Sequence, residues 1–287
     1  MLSEALAGNA ASIQRFLNEK VSGDTALQQA MRHALSGGKR LRAFLVMEAA
    51  RIHGVSEERA MYPAAAIEAM HAYSLVHDDL PCMDDDEMRR GEPTVHVKWD
   101  EAMAVLVGDA LQALAFEFAL HPDGAEDAYA RAELGRTLAQ CAGMQGMVLG
   151  QTLDIAAETA EAPLSLEDII DLQAGKTGAL FTWAATAGAV MAGASVQPLC
   201  NYARNIGLAF QIQDDVIDVT GKATEVGKAV GKDSAAGKAT FVSLLGLDEA
   251  RKRAAALADN ACESIDVYGA KADALKQLAQ FIVTREL

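Results

Sequence analysis

Basic side chains are in short supply in this chain, with 25 Lys and Arg against 40 Asp and Glu and a net charge of -15. That balance excludes a broad surface for nucleic acid or anionic lipid. An anionic ligand would need local cations or bound metal. Aromatic residues make up only 5% and there are just 6 prolines; together with abundant Ala and Leu, this favours helix over sheet. Four cysteines (Cys82, Cys141, Cys200, Cys262) stand singly, which excludes zinc-type spacing and reads as reduced thiols in a cytoplasm. Long unbroken apolar runs are also missing, because charge or glycine interrupts each Ala-rich stretch before membrane-spanning length. The first twenty residues carry Glu4, Arg15 and Glu19 and read as an amphipathic helix, not a signal peptide. The expectation is a cytoplasmic protein with no membrane span and no nucleic-acid partner.

What remains is a chain of 287 residues, 51% of them hydrophobic, near the upper size for one core. With no internal repeat, domain break or low-complexity tract, residues 1–287 read as one all-α domain. Helical periodicity predicts a first helix over Ser3–Glu19, with Ile13, Phe16 and Leu17 on its apolar stripe. Asp24 is expected to cap a second, running through Leu35, and Ser56 to cap the helix leading to His71. Further helices are expected over Glu101–Leu120, from the His121–Gly124 turn to Glu158, over Leu166–Met191 and over Gln197–Val219. Segments Phe241–Leu245, Asp248–Val267 and Lys271–Arg285 close the chain. Gly221–Thr240, with Lys222, Lys228, Lys232 and Lys238 among small residues, is either a flexible connector or a lysine-bearing lid.

The stretch His71–Gly91, HAYSLVHDDLPCMDDDEMRRG, is the strongest signal. Carboxylates crowd the end of an apolar helical run, where like charges repel and cost stability. Mg2+ offsets that repulsion, because it takes one or two carboxylates together with phosphate oxygens. Arg89 and Arg90 follow at once and suit such phosphates. His71 shares a stripe with Asp78, two turns away, and Pro81 breaks the helix so that Asp84 can turn back towards Asp78. A second cluster, Gln211-Ile212-Gln213-Asp214-Asp215-Val216-Ile217-Asp218, ends another apolar helix, with Gln211, Asp214 and Asp218 on one face.

Weaker signals accompany these two. Ser36-Gly37-Gly38-Lys39-Arg40-Leu41-Arg42 places cations at a helix start, which fits either a bound anion or an ordinary glycine turn. Lys176-Thr177-Gly178 interrupts a helix, as a kink opening a carbonyl and hydroxyl to a pocket or as a packing glycine. Gln151 and Asp154 read as capping or solvent-exposed polar positions. Two acidic clusters sharing a metal-bridged diphosphate over apolar walls would promote heterolysis of a carbon–oxygen bond and shelter the resulting cation. Lys39, Arg42 and Arg90 would hold a second anion nearby.

The motifs GGKRLR, HAYSLVHDDLPCMDDDEMRRG, GDALQ, GKTGAL, FQIQDDVIDVTG and GKATF occur in this order between about Ala30 and Ala250. In them the chain resembles the short-chain trans-prenyl diphosphate synthases, above all the farnesyl-forming bacterial ones. The resemblance implies an all-helical bundle around a deep central cavity, and a homodimer. It implies Mg2+, three ions per substrate-loaded site, with Mn2+ as a substitute. The first-motif ligands are then Asp78 and Asp84 and the second-motif ligand Asp214, with Asp79 and Asp218 in support. Lys39, Arg42, His71 and Arg90 match positions for isopentenyl diphosphate. Arg89, Lys176, Lys228 and Lys238 match those for the allylic substrate, dimethylallyl or geranyl diphosphate. Thr177 and Gln211 match polar groups near the developing cation. Tyr73, with Ser74 beside it, is placed to set product length, since it lies roughly 7.5 Å along the helix from Asp78.

Ala43 and Val242 stand where the family commonly has proline, and the ending Thr284-Arg285-Glu286-Leu287 is less basic than in many relatives. A geranylgeranyl or other chain-length synthase is the nearest alternative, with Tyr73 as the discriminator. Glu68 and His71 also form one Glu-x-x-His pair of the kind found in di-iron bundles, which require two such pairs.

Overall fold

The computed structural model describes residues 2–159, 163–220 and 239–285. Among them the chain is helical, apart from one two-stranded hairpin. Contacts divide it into two compact units, residues 1–136 with 187–194 and residues 137–186 with 195–287.

In the first unit, helices α1 (Leu2–Lys20), α2 (Ala26–Ala34) and α3 (Leu41–Ile52) precede the central α4 (Glu57–Asp78). Helix α4 buries residues all round its circumference, including Ala60, Tyr62, Ile67, Glu68, Met70 and Val76, as expected of an interior helix. After its acidic end come β1 (Met88–Arg89) and β2 (Glu92–Pro93), antiparallel with Arg89 opposite Glu92, and then α5 (Val95–Lys98) and α6 (Glu101–Ala119). Helix α6 lies along α4, and Gly108 permits the contact: a Cβ there would stand 1.9 Å from His77 Nε2. By length and composition α6 would suffice to cross a membrane, with a mean hydropathy of 1.5 over its best window. Gly108, Asp109 and Glu117 do not interrupt it as the sequence reading expected, because its Ala, Leu, Val and Phe content outweighs them.

The second helix is capped by Thr25 and not by Asp24, because Thr25 and Gln28 form a reciprocal capping box. The helix expected to run unbroken to Glu158 is two, α7 (Ala128–Ala142) and α8 (Met147–Glu158). Gly143 and Gly146 lie in the break between them; a Cβ on Gly146 would meet the Cys141 carbonyl oxygen at 2.0 Å.

In the second unit, α8 is followed by α9 (Leu166–Gln173), a π-helical turn (Ala174–Gly178), α10 (Ala179–Met191, of which residues 187–191 count with the first unit) and α11 (Gln197–Thr220). Helices α12 (Phe241–Leu245), α13 (Leu247–Ser264) and α14 (Asp273–Thr284) complete it, with a 3-10 stretch at Asp266–Ala272. Helix α11 packs along α13 over a core of Ile169, Ile212, Val216, Phe241, Ala250 and Ala254.

Candidate active site

In the first unit the chain turns sharply after α4. The Asp84 amide donates to the Asp78 carbonyl oxygen at 2.8 Å, so these two acidic residues close one turn through Pro81. Asp78 is half-buried and Asp84 exposed. Asp79 is only 3% exposed and points elsewhere: Arg89 Nε donates to its two oxygens at 2.8 and 2.9 Å. Burial pushes the Asp79 carboxyl up from its ordinary value, against the opposing pull of those hydrogen bonds. Asp79, read as a supporting metal ligand, anchors Arg89 in this structure.

The hairpin separates two adjacent arginines. Arg90 (φ 54°) and Gly91 (φ 79°) form a two-residue turn with positive φ at both positions, matching the twist of paired strands. Arg89 reaches Asp79, whereas Arg90 donates to the carbonyls of Ser36 and Gly37 at 2.9 and 3.2 Å. Gly38 lies at φ 85°, in the left-handed region that favours glycine, and a Cβ there would also meet that guanidinium at 2.9 Å. A cavity of about 130 Å³ lies in the same region, lined by His33, Ala72, Val76, Asp79, Arg89 and Thr94 among others.

Half-buried His71 sits among these cations. Burial, and after it the guanidiniums of Arg42, Arg90, Arg89 and Arg40, push its pKa well below the ordinary imidazole value. His71 is thus a neutral ring in a field that favours anions. Lys39 is exposed on the loop leading into α3, and Arg42 is half-buried in the first turn of that helix. Glu68, the other half of the Glu-x-x-His pair, is taken by Arg40 and the Ala43 amide at 3.0 and 2.9 Å. Tyr73 packs edge-on against His77 with ring centroids 5.1 Å apart, and its side chain hydrogen-bonds Gln112 of α6. Ser74 Oγ donates to the His71 carbonyl at 2.9 Å.

In the second unit the interruption at Lys176-Thr177-Gly178 is the π-turn. Gly150 of α8 packs closest against it: a Cβ there would stand 2.1 Å from the Lys176 nitrogen, while one on Gly175 would meet the Gly146 carbonyl oxygen at 3.1 Å. The turn sets Lys176 Nζ 2.7 Å from Asp154 Oδ2. Asp154 is consequently neither a cap nor a solvated position, and Gln151 turns its amide nitrogen inwards with no partner among the described residues. Gln211 Nε2 donates to Thr177 Oγ1 at 2.9 Å and to Gln173 Oε1 at 3.0 Å, tying α11 to the π-turn. Asp214 pairs with Arg285, whose guanidinium also lies over the Phe210 ring at 4.0 Å. Asp218 is half-buried one turn further on. Lys228 and Lys238 lie outside the described residues, with most of the expected connector.

Sequence reasoning missed Asp154, Gln173 and Arg285. A signal existed for the first, since Asp154 is four residues after Gly150 and therefore on its face of the helix. Among the described residues no three His, Cys, Asp or Glu side chains converge as a metal cage. The oxygen-only donors Asp78, Asp84, Asp214 and Asp218 nevertheless suit Mg2+, which takes few protein carboxylates and completes its shell with phosphate and water.

Helices that end in carboxylates, arginines gathered about a neutral histidine, and a lysine presented by a π-turn define an all-α protein of the prenyl-synthase type. The chain matches the polyprenyl synthetase family over residues 24–279 and belongs to it. It is 44% identical over 283 residues to the farnesyl diphosphate synthase of Escherichia coli (strain K12), covering 96% of this chain and 94% of that one. It is 39% identical to the chloroplastic geranylgeranyl pyrophosphate synthase of Capsicum annuum, covering 96% of this chain and 77% of that one. The apo crystal structure of an FPP/GFPP synthase from Zymomonas mobilis matches with a TM-score of 0.90 and 45% identity, covering 99% of both chains.

Proposed function

We propose that the chain condenses isopentenyl diphosphate with dimethylallyl and then geranyl diphosphate, releasing farnesyl diphosphate. The observation that carries this reading is the gathering of cations in the first unit, where Arg42, Arg90, Arg89 and Arg40 act on His71 in a chain of net charge -15. The likeness to farnesyl diphosphate synthases over nearly the whole chain supports it. So does the family match, which runs through both units and supports residues 1–287 as one catalytic domain.

Asp78, Asp84 and Asp214, with Asp218, would hold Mg2+, three ions with substrate bound, or Mn2+ in its place. Bound metal supplies charge neutralisation to a departing diphosphate. Arg89 and Lys176, with Lys228 and Lys238, bind and orient the allylic diphosphate. Lys39, Arg42, His71 and Arg90 bind isopentenyl diphosphate. The allylic carbon–oxygen bond breaks with both electrons leaving on the diphosphate. The isopentenyl double bond attacks the allylic carbon, and the proton lost from the adduct passes to the departed diphosphate. Thr177 and Gln211 turn their oxygen dipoles towards the positive charge while it exists. Asp154 keeps Lys176 extended, and apolar walls exclude the water that would trap the cation.

Product length rests on Tyr73, whose ring is wedged by His77 and tethered to Gln112. The longer-chain alternative remains in view because geranylgeranyl synthases are also among the relatives. A homodimer is supported by exposed apolar residues on two helices: Val105 and Leu106 on α6, and Val148, Leu149, Leu153 and Ile155 on α8. A cytoplasmic location fits the four free cysteines. Incubation with isopentenyl and dimethylallyl diphosphates plus Mg2+, followed by product sizing, tests the reading. Farnesyl diphosphate is the expected product, and absence of condensation overturns it.

A further inference from the structure

We propose that Glu68, acting through Arg40, is the positioning residue of the isopentenyl diphosphate half-site. The inference rests on the assignment of Lys39 and Arg42 to that substrate.

The segment that carries those two cations is under conformational strain. Gly37 (φ 71°), Gly38 (φ 85°) and Arg40 (φ 51°) all lie in the left-handed region within four residues. The glycines adopt it freely, but a residue with a Cβ pays of order 1 kcal/mol or more and keeps that conformation only where its surroundings over-determine it. Arg40 is so determined. It is 5% exposed and spreads its guanidinium over three elements. One terminal nitrogen donates to Glu68 Oε2 at 3.0 Å, the other to Gln14 Oε1 at 2.8 Å and to the Leu35 carbonyl oxygen. Gln14 Oε1 also accepts from the Gly37 amide at 3.2 Å.

Glu68 has a second task. Arg40 stands at the N-cap of α3, where its side chain makes no capping hydrogen bond. The carboxylate of Glu68, itself 2% exposed, accepts from the Ala43 amide at 2.9 Å and so caps that helix start from α4. A negative charge there also opposes the positive end of the helix. The Ala43 amide exists because this chain lacks the proline common at that position.

The sequence Lys39-Arg40-Leu41-Arg42 is therefore sorted by side. Arg40 and Leu41 are turned in and held, leaving Lys39 exposed and Arg42 half-buried beside His71. A buried ion pair is a poor source of net stability, because desolvation offsets its attraction. Its service here is to fix which of three cations faces the ligand. Lys39 and Arg42 touch the anion; Glu68 does not.

The test is steady-state kinetics of the full-length protein, with both substrates varied and melting temperatures recorded. Glu68→Gln keeps an acceptor for the Ala43 amide but removes the charge opposite Arg40. It is expected to raise KM for isopentenyl diphosphate at least tenfold, with KM for geranyl diphosphate and kcat within about twofold of the parent. If Glu68→Gln does not fold, Gln14→Ala decides the matter: it removes two of the ties from a half-exposed position and should raise the isopentenyl KM about threefold, with the same selectivity. Lys39→Ala and Arg42→Ala serve as references. If they raise the isopentenyl KM while Glu68→Gln and Gln14→Ala leave it unchanged, or move both substrates equally, the positioning role is overturned. If Lys39→Ala and Arg42→Ala have no effect on that KM, the half-site assignment itself falls.

Discussion

Arg89 folds back over ten residues to grip Asp79, its Nε within 2.9 Å of both carboxylate oxygens, while the next residue, Arg90, turns to the glycine loop. One hairpin thus delivers two neighbouring guanidiniums to two addresses. Removing Arg89 leaves a 3% exposed carboxylate without its partner. An uncompensated buried charge costs about 3–5 kcal/mol. Arg89→Ala is expected to lower unfolding free energy by about that amount in urea denaturation. Arg89→Lys should recover only part of it, because an ammonium cannot make the forked contact. Equal stability of all three proteins would contradict the anchor.

Tyr73 packs edge-on against His77, with ring centroids 5.1 Å apart, and is paired with Gln112. Tyr73→Ala is expected to shift the main product from farnesyl to geranylgeranyl diphosphate or longer. Tyr73→Phe keeps the ring and should keep the length. Chromatographic sizing of the products checks both, and an unchanged product from Tyr73→Ala removes the ring as the floor.

His71 gives a pH signature. Its folded pKa is lowered by burial and then by the arginines, whereas the unfolded value is about 6.5. Between those values the unfolded chain binds more protons than the folded one, so stability rises with pH. The His71 contribution is complete above about pH 6.5 and is lost as pH falls towards the folded value. Unfolding free energy measured between about pH 5 and 7.5 should climb with a slope of up to about 1.4 kcal/mol per unit. His71→Gln should lose that component. An unchanged slope would mean that His71 titrates alike in both states.

Close approach at the π-turn can be tested with one methyl group. A Cβ on Gly150 would sit 2.1 Å from the Lys176 nitrogen, with backbone on both sides and no side chain to yield. Gly150→Ala is expected to cost about 1–3 kcal/mol from overpacking and to raise KM for the allylic substrate by displacing Lys176. Gly8→Ala, in α1 where nothing lies within 4 Å, should instead be neutral or stabilise by up to about 1 kcal/mol. A Gly150→Ala protein that behaves like Gly8→Ala would rule out the tight contact.

The helical class and both acidic clusters could be read from the sequence because they rest on local pattern: apolar periodicity, and carboxylates crowded at helix ends. Partner choice could not. Nothing local to Asp79 distinguishes it from Asp78, and its burial against Arg89 follows from a hairpin whose strands are two residues each. Thr25 took the cap from Asp24 because Gln28 could answer it. Asp154 looked like an ordinary surface acid until the close passage of Gly150 and Gly175 brought Lys176 beside it. Arg285 lies 71 positions from Asp214, a separation no periodicity bridges.

The proposed function requires the carboxylates ending α4 and those ending α11 alike for Mg2+-dependent binding of the allylic diphosphate. Calorimetric titration with a non-reactive thiolo analogue of dimethylallyl diphosphate, in the presence of Mg2+, tests it directly in the parent, Asp84→Ala, Asp214→Ala and the double variant. Groups acting as a unit are strongly non-additive, so either single substitution should weaken binding nearly as much as both together. Losses that simply add, or an Asp214→Ala protein that binds the analogue as tightly as the parent, would contradict the account.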